Sequence, residues 1–310
     1  MREGIYDTVI VGAGPAGISA AIYAVRKKMN FLLVSESVGG QVLTSGDIEN
    51  FLGYAEIDGV QFVDRMVSQM NHLGIEPLLD RVVSARREGD HFLLETLSGR
   101  RIPTRTLLLC TGSEHRKLNV PGEREFTGRG VSYCYTCDAP FFRDAKVAVV
   151  GGGNAGFEAV EQLLNYASEI YLIELGDKLR ADEILRERVL KDDRVKVLLR
   201  TAVREIRGDA SGVKSLLLED LKEGKLRELE VSGVFVEIGL VPKTELADQL
   251  GVIKNEKGEI VIDCNNRTSE EGVYAAGDCT NIFAKQIITA AGEGAKALLS
   301  LYHELIYSRR

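Results

Sequence analysis

The 310-residue chain is expected to be an α/β protein built from two Rossmann-like dinucleotide-binding domains, each a three-layer ββα unit. Three observations predict this: the glycine motif Gly12-x-Gly14-x-x-Gly17, a second motif Gly151-x-Gly153-x-x-Gly156, and the same strand, turn, helix and strand grammar around both. The length leaves room for about two domains, each large enough to bury a core.

The first repeat begins with the apolar run Thr8-Val9-Ile10-Val11, which reads as a strand, and continues past the glycines into the alanine-rich stretch Ile18 to Val25, which reads as a helix. In such a turn the first glycine allows the bend, the second lets a pyrophosphate approach the backbone, and the third lets helix pack on strand. The helix N-terminus then faces the phosphates. A further strand, Phe31 to Val34, delivers Glu36 about 24 residues past Gly12, where a ribose-binding acid belongs. The second repeat runs from strand Val147 to Val150 through its glycines to a helix from about Phe157 to Tyr166, then strand Ile170 to Ile173 and Glu174. Two copies imply two nucleotides. Near the C-terminus, Gly272 to Asp278 reads as another short strand entering a Gly277-Asp278 turn, in which local sequence makes the aspartate a turn former.

Composition narrows the class. The chain is 45% hydrophobic with no Trp, and no stretch approaches the roughly 20 apolar residues of a membrane span. The few residues between Met1 and the first strand leave no room for a signal peptide, so the expected compartment is the cytoplasm. Net charge is −7, from 39 basic and 46 acidic residues, with the basic residues scattered; nucleic acid and membrane are not expected partners. The sign-alternating stretch Asp177 to Asp193 is expected to be a solvated helix face.

Five cysteines in such a chain argue against a structural disulfide framework. Cys110, Cys264 and Cys279 are expected to be structural. Cys134-Tyr135-Thr136-Cys137-Asp138 is different, and its CxxC pair has three readings: chance, half a zinc site, or a redox pair. Zinc needs two more ligands, but there is no second CxxC and the four histidines are dispersed. No metal is therefore expected. The short spacing suits reversible disulfide chemistry, one thiol acting as nucleophile and the other resolving. Asp138 beside it reads, on local sequence, as a helix N-cap or turn residue.

Val11-Gly12-Ala13-Gly14-Pro15-Ala16-Gly17, Gly39-Gly40-Gln41, Cys134-x-x-Cys137-Asp138, the second glycine motif, and Gly277-Asp278 followed by Gln286-Ile287 resemble the low-molecular-weight thioredoxin reductase family, in order along almost the whole chain. Gly151 to Gly156, Glu174 and the run Gln286 to Ala295 also resemble the C-terminal flavoprotein module of the alkyl hydroperoxide reductase reductase subunit. That subunit carries an N-terminal thioredoxin-like module that is not expected here.

The resemblance implies an FAD domain of residues 1–116 and 247–310, with a nicotinamide domain, residues 117–246, inserted between the halves. The hinges would lie at His115 to Gly122 and Gly239 to Lys243. The implied FAD contacts are Gly12, Gly14, Pro15, Ala16 and Gly17 at the pyrophosphate, Glu36 at the adenosine ribose, Gly40, Gln41 and Asn50 on the flavin side, and Thr111, Gly112, Gly277, Asp278, Gln286 and Ile287 around the ribityl chain and ring edge. Gly151, Gly153, Asn154 and Gly156 would hold the nicotinamide nucleotide, with Glu174 on its ribose. The implied chemistry passes hydride from the nucleotide through FAD to Cys137. Cys134 then exchanges with thioredoxin or a glutaredoxin-like protein, and Asp138 serves as acid/base. A homodimer and a rotation of one domain against the other are implied as well.

The sequence departs from that family where NADPH-specific members carry a His-Arg-Arg run. Here Glu174-Leu175-Gly176-Asp177-Lys178-Leu179-Arg180 puts a carboxylate where a 2′-phosphate would need cations. NADH is the expected donor, with some NADPH use open through Lys178 and Arg180. Two other readings stand beside the disulfide reductase: the reductase component of a peroxiredoxin system, and a non-catalytic flavin-binding redox sensor.

Overall fold

The computed structural model describes residues 4–44, 47–48 and 50–307, and only the backbone of Thr44, Asp47, Thr136 and Cys137. Strand β1 (Tyr6–Ala13) is covered on both faces. Ile10 packs with Ala20, Ala24 and Leu33, while Val9 and Val11 pack with Leu94, Leu107 and Leu109. A strand buried on both faces reads as an unbroken apolar run, as Val9-Ile10-Val11 does. Each such side chain contributes about 1.5–3 kcal/mol by leaving water. Helix α1 (Pro15–Arg26) starts on a proline, whose missing N–H is no loss at that position. Strand β2 (Phe31–Val38) lies parallel to β1, with Thr8 opposite Phe31 and Val11 opposite Val34. Helix α2 (Gly59–His72) is capped by Asp58, whose carboxylate accepts the Val60 and Gln61 N–H groups at 2.8 and 3.2 Å. An antiparallel hairpin, β3 (Val82–Glu88) and β4 (His91–Thr96), leads to β5 (Arg101–Leu109), which returns beside β1. The sheet order is Leu78–Leu79, β2, β1, β5, β4, β3.

The chain divides into two compact units: residues up to Glu114 together with those from Val241 onward, and His115–Leu240. These crossings differ from the boundaries expected at 116/117 and 246/247. The reason is local hydrogen bonding. Arg116 donates its N–H to the Gly239 carbonyl at 2.9 Å within the second unit, and Lys243 donates to the Gly112 carbonyl at 3.0 Å within the first.

In the second unit a single helical turn, α3 (Tyr135–Asp138), precedes β6 (Lys146–Val150), α4 (Asn154–Leu163), β7 (Glu169–Ile173), α5 (Glu183–Val189) and β8 (Val195–Leu198). An antiparallel sheet follows, β9 (Thr201–Asp209), β10 (Gly212–Asp220) and β11 (Lys225–Glu230), before β12 (Gly233–Val236). The parallel sheet runs Val131–Ser132, β12, β6, β7, β8. Its two faces make the three layers. Val147, Val149, Leu172 and Phe235 pack on Phe157, Val160 and Leu163 of α4, and Ala148, Val150 and Val234 pack on Val203, Ile206, Leu216 and Leu218 of the antiparallel sheet.

Helix α4 begins three residues before the Phe157 start expected from sequence. The stretch from Asp177 to Asp193 is helical only over Glu183–Val189. Its first part is held as a loop because Arg180 and Ala181 donate to the Gly152 carbonyl at 2.7 and 3.2 Å. The first unit then resumes with α6 (Glu245–Gln249), β13 (Val273–Ala275), which pairs parallel with β5, and α7 (Ile287–Tyr307). Among the described residues no helix is long and apolar enough to cross a membrane.

Candidate functional site

Two glycine turns open two helices with unused N–H groups. Gly14 is the N-cap of α1 and Gly153 the N-cap of α4, and neither helix has a side-chain cap. A Cβ at either glycine would meet nothing within 4 Å. Each turn is therefore an open concavity with donors and the positive end of a helix dipole at its base, which suits a phosphate. The other glycines are obligatory for the opposite reason. Gly12 and Gly151 have φ of +107° and +128°, and Cβ atoms there would stand 2.2 and 2.1 Å from the Cys110 and Glu237 carbonyl oxygens. At Gly17 and Gly156 a Cβ would stand 1.7 and 1.8 Å from the carbonyl oxygens of Gly12 and Gly151. Both turns thus fit a dinucleotide pyrophosphate.

The first turn gathers residues distant in sequence. Gly277 faces Ala16, with 3.2 Å between a Cβ built on the glycine and the alanine methyl, and Gly40 lies against Gly14. Gln41 donates to the Ser113 hydroxyl at 2.9 Å, and Asn50 donates to Gln286 at 3.1 Å. Burial pushes the Asp278 carboxyl up, while Lys285 and a hydrogen bond from Ser113 pull it back. The Thr111 hydroxyl donates to the Lys243 carbonyl, and Gly112 has φ of +69°. Pro15 and Ile287 are the first residues of α1 and α7. Ser113 and Lys285 were not singled out by sequence, since neither belongs to a recognisable spacing. Glu36 departs from expectation: β2 continues to Val38, so Glu36 lies inside the strand, exposed, rather than beyond its end.

Glu174 is its opposite. It follows β7, is 4% exposed, and accepts the Gly152 and Gly176 N–H groups at 2.8 and 2.7 Å through different oxygens. The Arg180 guanidinium lies 3.5 Å from one of them. Asn154 is tied to Asp182 in both directions, accepting its N–H at 2.8 Å and donating to its carboxylate at 3.1 Å.

Cys134 is disulfide-bonded, whereas Cys110, Cys264 and Cys279 are free. The Cys137 side chain lies outside the described residues. Cys264 is exposed in a turn, so the structural role expected of it is not one of core packing; Cys110 and Cys279 are buried, and burial pushes both thiols up. Asp138 stands at the N-cap position of the next turn, Ala139–Phe142, but its side chain makes no capping bond. Its carboxylate is not engaged in the helix-capping role that was its alternative reading. The approach to Cys134 is pinned by residues that sequence did not single out. Buried Glu123 accepts from the Leu118 and Asn119 N–H groups and the Tyr133 hydroxyl, at 2.8, 2.7 and 2.7 Å, and the Ser132 hydroxyl accepts the Cys134 N–H at 3.0 Å. Among the described residues no three His, Cys, Asp or Glu side chains gather as a metal site.

Two glycine turns of this geometry, each leaving a strand flanked by parallel neighbours, define a protein with two dinucleotide-binding folds. The family model described as "Pyridine nucleotide-disulphide oxidoreductase" matches residues 6–294. The chain belongs to that family, whose cofactors are FAD and a pyridine nucleotide. It is 38% identical over 312 residues to an alkyl hydroperoxide reductase subunit of Escherichia coli (strain K12), covering 99% of this chain and 60% of that protein. The chain therefore spans about three fifths of that relative's length. It is 39% identical over 297 residues to "Thioredoxin reductase" of Listeria innocua, covering 96% of this chain and 92% of that one. Among solved structures, thioredoxin reductase of Lactococcus lactis matches with a TM-score of 0.79 at 35% identity, over 97% of this chain and 99% of that chain.

Proposed function

We propose that this chain is an FAD-dependent disulfide reductase that draws electrons from NADH and delivers them, through Cys134 and Cys137, to thioredoxin or a glutaredoxin-like protein. The observation that carries the reading is a disulfide-bonded Cys134 in a chain with two open, uncapped glycine turns. We assign the disulfide partner to Cys137, the remaining cysteine of the sequence.

The first unit is the FAD domain in this reading and the second the nicotinamide domain. Bound FAD would supply the two-electron relay between nucleotide and disulfide. Gly14, in the turn that Gly12 and Gly17 permit, leaves room for its pyrophosphate, and Glu36 is assigned to its ribose, while Gln41, Asn50, Asp278 and Gln286 supply polar contacts to the remainder. Gly151, Gly153 and Gly156 do the same for NADH, and Glu174 accepts from its ribose hydroxyls. The carboxylate of Glu174 opposes a 2′-phosphate, which favours NADH over NADPH. Reduction of the disulfide takes up a hydride equivalent and one proton and gives two thiols. Asp138, with its carboxylate free of a capping bond, holds or returns that proton at the exchanging sulfur. The chain acts as a homodimer.

A second reading, the reductase of a peroxiredoxin system, is favoured by the 38% identity to the alkyl hydroperoxide reductase protein over 99% of this chain. Anaerobic stopped-flow reduction of the yellow protein by NADH and NADPH, followed by oxidised thioredoxin, tests both. Rapid bleaching by NADH with reoxidation by thioredoxin is expected. Reoxidation only by a thioredoxin-like module coupled to a peroxiredoxin selects the second reading, and no bleaching by either nucleotide sinks both.

A further inference from the structure

Two glutamates flank the second glycine turn, and Glu174 accounts for only one of them. Glu174 follows β7 and Glu237 follows β12, the strands on either side of β6. Glu237 donates its N–H to the Val150 carbonyl at 2.8 Å, and its own carbonyl oxygen is what a Cβ on Gly151 would strike. Its side chain has no such engagement: Oε1 is buried with no hydrogen-bond partner among the described residues. A buried polar atom left without a partner calls for an explanation, because it costs about 1–3 kcal/mol. The titratable groups facing it are Glu158 on α4 and Tyr135 on α3, whose hydroxyl donates to Glu158 at 3.2 Å. Burial, and after it the Glu158 charge, push the Glu237 carboxyl up to about 8. At neutral pH it is therefore an acid with a proton to release.

In a doubly wound sheet the dinucleotide lies across the carboxyl ends of the strands where the strand order reverses. Here that point is β6, from which the chain runs outward to β7 and β8 and later returns on the other side as β12. With the ribose acid Glu174 at the β7 end, the opposite half of the nucleotide falls to the β12 end, beside Glu237. That half carries the one nucleotide group whose charge changes in the reaction, a neutral dihydronicotinamide becoming a cationic ring.

We infer that Glu237 is a positioning residue that distinguishes oxidised from reduced nucleotide: it keeps its proton beside the neutral ring and releases it to solvent when the cationic ring binds. The inference rests on reading the second unit as a nicotinamide domain. Its balance is a single proton. Protonated Glu237 plus NAD+ gives a carboxylate and nicotinamide ion pair plus H+, with no electron transferred. The disulfide takes up one proton beyond its hydride equivalent, so a proton freed as the nucleotide is oxidised is one that reduction of the disulfide requires.

The test titrates the oxidised, FAD-loaded full chain with NAD+ and with 1,4,5,6-tetrahydro-NAD, a neutral-ring analogue that donates no hydride, from pH 6 to 9. NAD+ affinity should rise up to about tenfold per pH unit below pH 8 and level off above it, while the analogue's affinity does not rise. Glu237→Gln should flatten the NAD+ profile. Glu158→Gln, which removes the neighbouring charge, should move the bend to lower pH. Calorimetry in buffers of different ionisation enthalpy should show proton release with NAD+ alone. The inference is overturned if both ligands share one profile, if Glu237→Gln keeps the parent slope, or, should that variant not fold, if Glu158→Gln leaves the bend in place. If the parent binds neither ligand at any pH, the nicotinamide reading falls first and this inference with it.

Discussion

At the first glycine turn a Cβ on Gly12 would lie 2.2 Å from the Cys110 carbonyl oxygen, and at the second a Cβ on Gly151 would lie 2.1 Å from that of Glu237. The two backbones make nearly the same shape, and the side chains beside them do not. On one flank the first turn has Ser35 at the register position of Glu174, with exposed Glu36 one residue further on, where the second has the buried carboxylate. On the other flank it has the Cys110 thiol where the second has the Glu237 carboxyl. The shared part is what a pyrophosphate demands of any chain: room, donors and a helix end. The divergent part is set by the other groups each nucleotide carries, so the strand-end residues are where the two units specialise.

Alanine at the positive-φ glycines gives the largest test of that division. Gly151→Ala combines overpacking against a carbonyl with an unfavourable φ, about 2–5 kcal/mol together. It should abolish pyridine-nucleotide binding while the protein stays yellow, and Gly12→Ala should do the reverse. Flavin absorbance and a nucleotide titration on each variant read the outcome. If either substitution removes both cofactors, the turns do not serve separate nucleotides.

The acids come next. Glu174→Ala leaves the Gly152 and Gly176 N–H groups without their acceptor, at about 1–3 kcal/mol for each one that stays buried. Glu36→Ala removes an exposed side chain and should change stability by no more than about 0.5 kcal/mol. Calorimetric unfolding of the two variants should separate clearly, and equal losses would mean that the difference in burial has no energetic consequence. The milder Glu174→Gln should narrow the ratio of NADH to NADPH turnover, and an unchanged ratio would take Glu174 out of the discrimination.

Sequence makes the glycines and Glu174 readable because their constraints are local: a turn, a helix start, and a strand that ends a fixed distance later. Glu237 is not readable in the same way. Its run Val234-Phe235-Val236-Glu237 looks like any strand reaching solvent, and only the packing of α3 and α4 shows that its carboxyl is buried beside Glu158. Ser113, placed between Gln41 and Asp278, and the pairing of Asn50 with Gln286 are products of chain return, which no spacing records. Glu36 shows the limit from the other side. Its spacing is right, but the extension of β2 to Val38 leaves it in the strand and exposed.

The smallest effect separates Glu237 from Cys110 by pH. The Glu237 carboxyl is raised from 4.5 to about 8 in the folded protein, so the folded state keeps a proton that the unfolded chain releases. Its contribution to stability is therefore full below about pH 4.5 and is lost as pH rises to about 8. The Tm of the parent relative to Glu237→Gln should fall steadily between pH 5 and 8 and change no further above that. Cys110→Ala should cost about 1 kcal/mol, and equally across the same range, because burial holds that thiol protonated throughout. A pH-independent difference between the parent and Glu237→Gln would mean that the carboxyl is ionised in the fold. The two units would then differ at that position by a standing charge, not by a group that titrates near neutrality.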